Sequence, residues 1–397
     1  MLKKKNLTPT YSLVQGSFWM SFCIAVCFAA VHLQSMGFSN TELGLVMAAG
    51  NVLGTVLGPV LTSLAVKHPS LDGGRLCYPL LFLRALCLAE LLILPTHSLL
   101  TAFVYTIYIA VTIGVNSINL KFCVDAEQKE LPLDYGIARG IGSLCFVLLS
   151  TVLGRIIESY NASVVVYAAL VLILVQLLSQ LLFLPKLRQE DSGKKEVHPQ
   201  SNEASSLLGF FRKEPRFSIL LLGGVLLFFA HNSSANFMIN LSENVGGNAK
   251  TMGNLTAFMA AMELPVMFLF SRFSRGKRMS VFMSLSVVAF LLKSLAIGLA
   301  PNIPLLFAAN SLQAPSFAIF SCAVVPYISQ VIDPANAAKA QSLAFSITTL
   351  GAVLSSLVAG RLYDICSVQT TLLIAAAVCA VGTVICLFGI RKTEISK

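Results

Sequence analysis

The sequence predicts an all-α membrane protein with twelve transmembrane helices in two six-helix bundles. Hydrophobic residues make up 56% of the 397 positions and charged residues only 12%, with a mean hydropathy of +0.79. An average soluble domain is roughly a quarter charged, so an ordinary soluble enzyme is excluded. Twelve apolar segments reach the length of about 20 residues that a helix needs to cross a bilayer. One long polar stretch divides these segments six and six.

The predicted spans follow one another with several short connections, so neighbouring helices must run antiparallel. The first span follows Lys3–Lys5 and resembles a signal peptide, but it continues to about Val31 and many similar spans follow. We therefore interpret it as an uncleaved transmembrane helix. The twelve spans cover roughly 11–34, 41–66, 76–95, 99–121, 137–158, 163–185, 217–241, 251–272, 279–300, 303–330, 336–362 and 367–390.

The segment 186–216 is the one long polar stretch between spans, with seven basic and five acidic residues. Its composition predicts a flexible cytoplasmic linker. It separates an N-terminal bundle, 1–185, from a C-terminal bundle, 217–397.

The basic residues are distributed asymmetrically along the predicted topology. Of the 28 lysines and arginines, 21 fall on one set of alternating connections and three on the opposite set. This positive-inside pattern predicts cytoplasmic termini and a location in the plasma (inner) membrane. It also accounts for the net charge of +10 without nucleic acid as a partner. Most of the ten cysteines lie inside apolar spans and none forms a C-x-x-C pair, so no metal site is expected.

Small residues recur at every fourth position in spans 2 and 11, where they let helix backbones approach closely in lipid. We expect these two stripes to pack between the halves of the molecule. The stripes consist of Gly50, Gly54 and Gly58, and of Gly351, Ser355 and Ala359.

Polar side chains concentrate in spans 1, 4, 7 and 10, the first helix of each predicted three-helix unit. Polar groups inside a membrane are hypotheses for function, so we expect these helices to line a wet cavity that binds a solute. The alternative is interhelical hydrogen bonding, worth about 0.6 kcal/mol per bond. A structural role is about equally plausible for the histidine of this set. The candidates are Trp19, Asn116, Asn119, His231, Asn236, Asn240, Asn310 and Gln313.

Only two acidic residues, Glu90 and Glu263, lie well inside predicted spans, and Glu263 is the deeper. Desolvation disfavours an ionised carboxylate at that depth, which makes Glu263 a candidate proton carrier. Lys293 in the next span is its candidate partner, and a purely structural ion pair is the alternative. Arg84 lies six residues from Glu90 on a different helix face, so we assign this pair no role beyond contacts with other helices.

No catalytic motif of a common enzyme class occurs, and no phosphate-binding loop points to ATP as an energy source. We therefore expect no catalytic residue and no cofactor, and an ion gradient is the remaining energy source.

Three motifs resemble the major facilitator superfamily. Asp134–Ser143 is similar to the opening of its helix 5, and Gly37–Gly44 to the entry of helix 2 in its oligosaccharide–proton symporter branch. That branch contains lactose permease and the phenylpropionate permease-like proteins. Glu263-Leu264-Pro265, followed by Arg272, Lys277 and Arg278, resembles its helix 8 and the next loop.

The resemblance implies alternating access by two six-helix bundles, driven by a proton gradient, with the protein working as a monomer in the lipid bilayer. It implies that Arg139 engages the solute and that Phe146 stands where lactose permease has a stacking tryptophan. Glu263 would be the helix 8 acid, and Lys293 takes the place of a helix 9 arginine.

This chain departs from the branch pattern at several positions. Lys121 replaces a helix 4 glutamate, and Asn310 and Gln313 replace a helix 10 histidine and glutamate. The familiar proton relay is therefore largely missing, and proton coupling must rest on Glu263 or Glu90.

The leading hypothesis is proton-coupled uptake of a small polar solute such as a sugar or nucleoside. The first alternative is transport of an organic anion, because Arg84, Lys121, Arg139 and Lys293 outnumber the two intramembrane acids. Proton-driven drug efflux is the second, although the polar span 7 disfavours it. A membrane sensor would need a larger soluble domain than the sequence provides.

Overall fold

The computed structural model describes residues 6–67, 73–188 and 207–393. All regular secondary structure in these ranges is helical, which confirms the predicted all-α class. Within them, 11 helices are long and apolar enough to span a membrane. The helix at the third predicted span, Gly73–Leu91, is the exception, because its 19 residues include three charged side chains, Arg75, Arg84 and Glu90.

The chain forms two compact units, residues 1–197 with 252–257, and residues 198–251 with 258–397. The helices of the first unit correspond to the first six predicted spans. They are α1 (Thr8–Phe22), a π-helical turn (Cys23–Cys27), α2 (Ala29–Ser35), α3 (Asn40–Lys67), α4 (Gly73–Leu91), α5 (Leu99–Gln128), α6 (Tyr135–Ser159) and α7 (Val164–Arg188).

The second unit contains the last six predicted spans, apart from residues 252–257, and one additional short helix. Its elements are α8 (Leu207–Lys213), α9 (Pro215–Ala235), α10 (Met238–Asn244), α11 (Ala249–Ser274), α12 (Met279–Gly298), α13 (Ile303–Ser311), a second π-helical turn (Ala314–Ala318), α14 (Ile319–Val331), α15 (Pro334–Ile365) and α16 (Val368–Gly389).

In three predicted spans the helix is interrupted partway along the span. Span 1 breaks at Phe28 after the first π-helical turn, and span 7 breaks at Asn236 and Phe237. Span 10 breaks at Gln313, directly before the second π-helical turn. The π-helical turns in spans 1 and 10 are of a kind that is frequent at functional sites. All three breaks lie in spans rich in polar side chains.

Side-chain oxygens cap the N-termini of several helices. In each case an Asp, Asn or Ser accepts a hydrogen bond from the backbone N–H three residues later, which satisfies one unpaired donor of the first turn. The capped helices are α5 (Ser98), α6 (Asp134), α11 (Asn248), α13 (Asn302) and α16 (Ser367).

An aromatic cluster forms part of the core of the first unit. The ring of Phe183 on α7 lies 5.4 Å from Tyr11 on α1 and 5.6 Å from Phe122 on α5. At the end of α7, the ammonium of Lys129 donates to the backbone oxygen of Leu187 over 3.1 Å. Helices α1, α5 and α7, which correspond to predicted spans 1, 4 and 6, therefore share one core.

The segment predicted as a linker, 186–216, contains more helix than expected. Helix α7 extends to Arg188, and α8 occupies Leu207–Lys213; the remaining positions, 189–206, lie outside the described residues. Phe210 of α8 is buried in the core of the second unit against Phe217. Packing of Phe210 against that core helps to stabilise this short helix.

The small-residue stripes pack inside the units, which corrects the expectation that they pack between the halves. A Cβ atom at Gly54 of α3 would lie 2.7 Å from Cβ of Ile113 on α5. A Cβ atom at Gly351 of α15 would lie 2.5 Å from Cβ of Phe228 on α9. Both contacts join neighbouring helices of one unit, because absent side chains let their backbones approach closely.

Candidate functional site

A chain of polar side chains lies inside the second unit. Nζ of Lys293 donates to Oε1 of Gln313, and Nε2 of Gln313 donates to Oε1 of Glu263 over 2.7 Å. Lys293 and Gln313 are each only 2% exposed. The predicted Glu263–Lys293 pair is therefore joined through an amide. Gln313 can do this because an amide presents both an acceptor and donors.

His231 of α9 extends this chain on the side of the lysine. Its Nδ1 lies 3.4 Å from Nζ of Lys293. An ammonium group can only donate, so Nδ1 is the acceptor and the ring proton resides on Nε2. The imidazole stacks on Phe317 with a centroid distance of 5.3 Å and an interplanar angle of 11°. Phe228 and Phe290 contact it edge-on, so the polar chain ends in an aromatic environment.

The helix break in span 10 positions Gln313. The backbone N–H of Gln313 bonds to the oxygen of Asn310, and its own oxygen accepts from the N–H of Ala318 across the π-helical turn. Pro315 lies within this turn and has no backbone N–H, which favours the departure from regular α-helix. Local backbone geometry therefore directs the amide between α11 and α12.

The other asparagines proposed in the second unit make structural hydrogen bonds. Nδ2 of Asn236 donates to Oγ of Ser356 on α15 over 3.1 Å, and Nδ2 of Asn310 donates to the backbone oxygen of Leu306 over 2.8 Å. Asn310 is fully buried and Asn240 is half-buried. The Asn236 contact reaches α15, as the alternative of interhelical bonding expects, whereas the Asn310 contact stays within α13.

The first unit places a cation over an aromatic ring. The guanidinium carbon of Arg139 lies 3.9 Å from the ring centre of Trp19, and Nη1 donates to Oγ of Ser143. Both Arg139 and Trp19 are half-buried. A cation over an indole is the strongest form of this contact among aromatic side chains. The pair presents a charged, planar group beside an aromatic surface.

A series of hydrogen bonds holds Trp19 in place. Its Nε1 donates to Oε1 of Gln15 over 3.0 Å, and Nε2 of Gln15 donates to the Tyr11 hydroxyl over 2.7 Å. The Tyr11 hydroxyl donates to the backbone oxygen of Asn119 on α5 over 2.8 Å. This series of hydrogen bonds, from the backbone of α5 through two side chains of α1, therefore fixes the orientation of the indole.

A close approach of α6 completes this arrangement. A Cβ atom at Gly142 would lie 2.6 Å from Cδ1 of Trp19, so only glycine leaves room for the indole there. Asp134 caps the first turn of α6, from which Arg139 extends. The motif that includes Gly136, Arg139 and Gly142 thus positions the arginine on the ring.

The remaining candidates of the first unit lie in different surroundings. Asn116 and Phe146 are half-buried, whereas Asn119 is fully buried and contributes its backbone oxygen to Tyr11. Glu90 is exposed in the last turn of α4, which corrects its predicted position well inside a span. The predicted span extended four residues beyond the observed helix end at Leu91 because the following residues are also apolar.

Lys121 was counted from the sequence as an uncompensated positive charge, but an acidic residue pairs with it in the structure. Its Nζ lies 2.6 Å from Oδ1 of Asp125, one helical turn later on α5. The excess positive charge that favoured an anionic solute is therefore smaller than the sequence count. The i,i+4 spacing of Lys121 and Asp125 is the signal that could have identified this pair.

The model of the MFS_1 like family matches residues 17–374. The chain belongs to the MFS_1 like family. It is therefore a multi-pass membrane transporter and not an enzyme. The predicted resemblance to major facilitator transporters is confirmed.

Two curated relatives of this MFS_1-like chain are transporters. It is 24% identical over 324 residues, 79% of each chain, to the "Probable 3-phenylpropionic acid transporter" of Escherichia coli K12. It is 25% identical over 166 residues, 42% of each chain, to the "Putative sugar efflux transporter" of Deinococcus radiodurans.

Solved structures share the MFS fold with this chain. The crystal structure of nucleoside transporter NupG aligns with a TM-score of 0.76 at 16% identity, covering 96% of this chain and 98% of NupG. An auto-inhibited peptide transporter of the POT family aligns with a TM-score of 0.71 at 9% identity, covering 98% of each chain.

Proposed function

We propose that this MFS_1-like transporter is a proton-coupled symporter that takes up a small polar solute by alternating access. The proton gradient is its energy source, it resides in the plasma membrane with both termini cytoplasmic, and it works as a monomer. The observation that carries the proposal is the bridge from Glu263 through Gln313 to Lys293. We assign proton binding to Glu263 and exclude exposed Glu90 from this role.

Through the bridge, the charge of the Glu263 carboxyl group determines whether the Gln313 amide presents its oxygen to the Lys293 ammonium. With Glu263 ionised, the amide donates to the carboxylate and turns its oxygen toward Lys293. Protonation removes the negative charge, so the amide loses the charge-assisted bond that fixes its orientation. Lys293 then loses an oriented acceptor, and a proton on Glu263 changes the polar surface available to a solute.

The solute is a neutral polar molecule such as a sugar or nucleoside in the leading form of this proposal. Trp19 offers an aromatic ring for stacking, and the half-buried Arg139 and Asn116 of the same unit offer groups that bond hydroxyls and carbonyls. Aromatic surfaces with a few placed polar groups are the usual composition of small-molecule sites. The Deinococcus relative, which is named a putative sugar efflux transporter, supports this solute class but not the direction of transport.

An organic carboxylate is the second candidate, and the Arg139–Trp19 pair favours it. A guanidinium group binds carboxylates with two parallel hydrogen bonds, and the neighbouring indole suits an aromatic substituent. The Escherichia coli relative with a phenylpropionic acid transporter name supports the same class. Because Lys121 is already paired with Asp125, Arg139 is the residue that distinguishes the two solute classes.

Solute binding is tested first, by thermal unfolding of the purified protein with sugars, nucleosides and aromatic or aliphatic acids at two pH values. A ligand that binds the folded state raises the melting temperature. Stabilisation by a neutral solute supports the leading form. Stabilisation confined to carboxylates and lost in Arg139→Gln supports the second candidate.

Proton coupling is tested in proteoliposomes with the solute so identified. We expect Glu263→Gln to abolish accumulation driven by a pH gradient while retaining solute counterflow, which needs no net proton movement. The matched control is Glu243→Gln, because Glu243 is an exposed acid of the same unit. Full accumulation by Glu263→Gln would exclude the assigned proton site.

A further inference from the structure

The first unit contains a fully buried arginine away from the Arg139–Trp19 pair. Arg84 on α4 is 0% exposed, and its Nη1 donates to Oε1 of Gln176 on α7 over 2.8 Å. Its Nε and Nη2 have no hydrogen-bond partner within the described residues. The guanidinium carbon lies 5.7 Å from the ring centre of Tyr108 on α5. Three helices therefore enclose a cation with unused donors.

The groups around Arg84 also have unused hydrogen-bonding atoms. Nε2 of Gln176, both side-chain polar atoms of Gln180 and the hydroxyl of Tyr108 are buried without a partner in the described part of the chain. Gln176 and Gln180 are one turn apart on α7, so their side chains share a helix face. Buried polar groups in proteins are almost always hydrogen-bonded, so these unsatisfied atoms call for a partner that the described residues do not supply.

The charge of this cluster is not balanced by acidic residues of the three helices. Helix α7 has no acid, Glu90 and Glu127 are exposed, and Asp125 is paired with Lys121. A guanidinium group stays protonated in proteins, and an unpaired buried ion carries a desolvation penalty of several kcal/mol. A bound anion would remove that penalty and accept the free N–H and O–H donors.

We propose that the first unit binds a small monovalent anion at Arg84, with Tyr108, Gln176 and Gln180 as further donors. The ligand must be small, because each of these side chains is at most 1% exposed. Its chemistry is that of chloride, an acceptor with one negative charge. This site is separate from solute recognition, since Trp19 and Arg139 lie on α1 and α6.

The test uses the purified full chain in gluconate buffer and replaces gluconate with chloride at constant ionic strength. We expect the melting temperature to rise along a saturating curve, because a ligand of the folded state stabilises it by mass action. Bromide and nitrate should act similarly and sulfate should not. The ³⁵Cl NMR line should broaden in the presence of protein, and excess bromide should reverse the broadening.

Variants locate the site. We expect Arg84→Gln to abolish chloride-dependent stabilisation and Gln180→Leu to lower the apparent chloride affinity severalfold. Arg155→Gln is the matched control, because Arg155 is an exposed arginine of the same unit. If Arg84→Gln does not fold, the wild-type anion series and Gln180→Leu decide. Equal melting temperatures in gluconate and chloride, or an unchanged effect in Gln180→Leu and Arg84→Gln, would overturn the proposal.

Discussion

Nε2 of Gln313, at the break in span 10, lies 2.7 Å from Oε1 of Glu263 on α11, which is 50 residues earlier in the sequence. The same amide accepts a hydrogen bond from Lys293. A neutral side chain thus separates two opposite charges inside the second unit. Protonation of the Glu263 carboxylate can therefore alter the hydrogen bond of Lys293 through the amide, although the two ions do not pair directly.

Replacement of Gln313 by Leu should impair both stability and transport. Leucine keeps a similar volume but removes the amide acceptor of buried Lys293 and leaves only the longer contact with His231 that is described above. Loss of a hydrogen-bond partner by a buried group costs about 1–3 kcal/mol, more when the group is charged. We expect a lower melting temperature and loss of pH-driven accumulation. Ser311→Ala is the control, because the Ser311 hydroxyl bonds within its own helix, to Ala308. Wild-type accumulation in Gln313→Leu would exclude the bridge from the coupling mechanism.

Trp19→Ala should weaken solute binding, whereas Trp19→Phe should retain part of it. The alanine variant removes the ring beneath Arg139, and cation–π contacts at partly exposed sites are worth about 0.5–1 kcal/mol. We therefore expect a roughly two- to fivefold rise in the dissociation constant, measured by solute-dependent thermal shifts. Equal affinities for the wild type and both variants would contradict a role of this ring.

Gly351→Ala should destabilise the second unit. Its new Cβ would lie 2.5 Å from Cβ of Phe228 and 2.8 Å from the backbone nitrogen of Phe229, so α9 and α15 would have to separate. We expect a clear fall in melting temperature. Gly209→Ala is the control, since nothing lies within 4 Å of the added atom and alanine favours helix by about 1 kcal/mol. The packing argument fails if Gly351→Ala is as stable as that control.

Two ion pairs near the ends of α8 and α9 should differ in their contributions to stability. Nη2 of Arg391 lies 2.7 Å from Oε2 of Glu214, whose side chain is only 8% exposed. Arg391→Met would leave that carboxylate without this cation, and because Arg391 is 28% exposed we expect a cost of about 1–3 kcal/mol, that of an unsatisfied buried group. The pair of Lys213 and Asp333 is exposed, so Asp333→Asn should have little effect. Equal effects in thermal unfolding would contradict this ranking.

The exposed pair should also give a small pH dependence. The ammonium of Lys213 lowers the pKa of Asp333, and the carboxylate raises the pKa of Lys213. The contribution of Asp333 is present above the ordinary aspartate pKa and is lost as pH falls through the lowered value. That of Lys213 is lost as pH rises through its raised pKa. The melting-temperature difference between wild type and Asp333→Asn should therefore vanish in acid, and its persistence there would exclude this cause.

Hydropathy and helix length predicted the order of the helices, because each apolar segment must satisfy its own backbone hydrogen bonds in lipid. The breaks at Phe28, Asn236 and Gln313 were not predicted. Their positions depend on packing against other helices, and no periodicity in the sequence identifies a π-helical turn. The polar composition of these spans was the available signal, and it indicated unusual segments without giving their geometry.

For the candidate site, the sequence identified Glu263 and Lys293 as charges in an unfavourable environment. It predicted their association but not the intervening Gln313, since side chains from three helices meet only in the folded unit. The aromatic surroundings of His231 were likewise missed, because Phe290 and Phe317 are indistinguishable from lipid-facing residues by composition. The Arg139–Trp19 contact joins two residues that were proposed separately.

The charged residues of α4 have a consequence for biosynthesis. A central arginine such as Arg84 opposes release from the translocon by about 2.5–3.5 kcal/mol, so this helix is poorly suited to enter the bilayer independently. Its hydrogen-bond partner Gln176 is translated 92 residues later. During co-translational assembly α4 must therefore be retained beside its neighbours α3 and α5 until α7 arrives, and integration of the third helix is completed only when the sixth has been made.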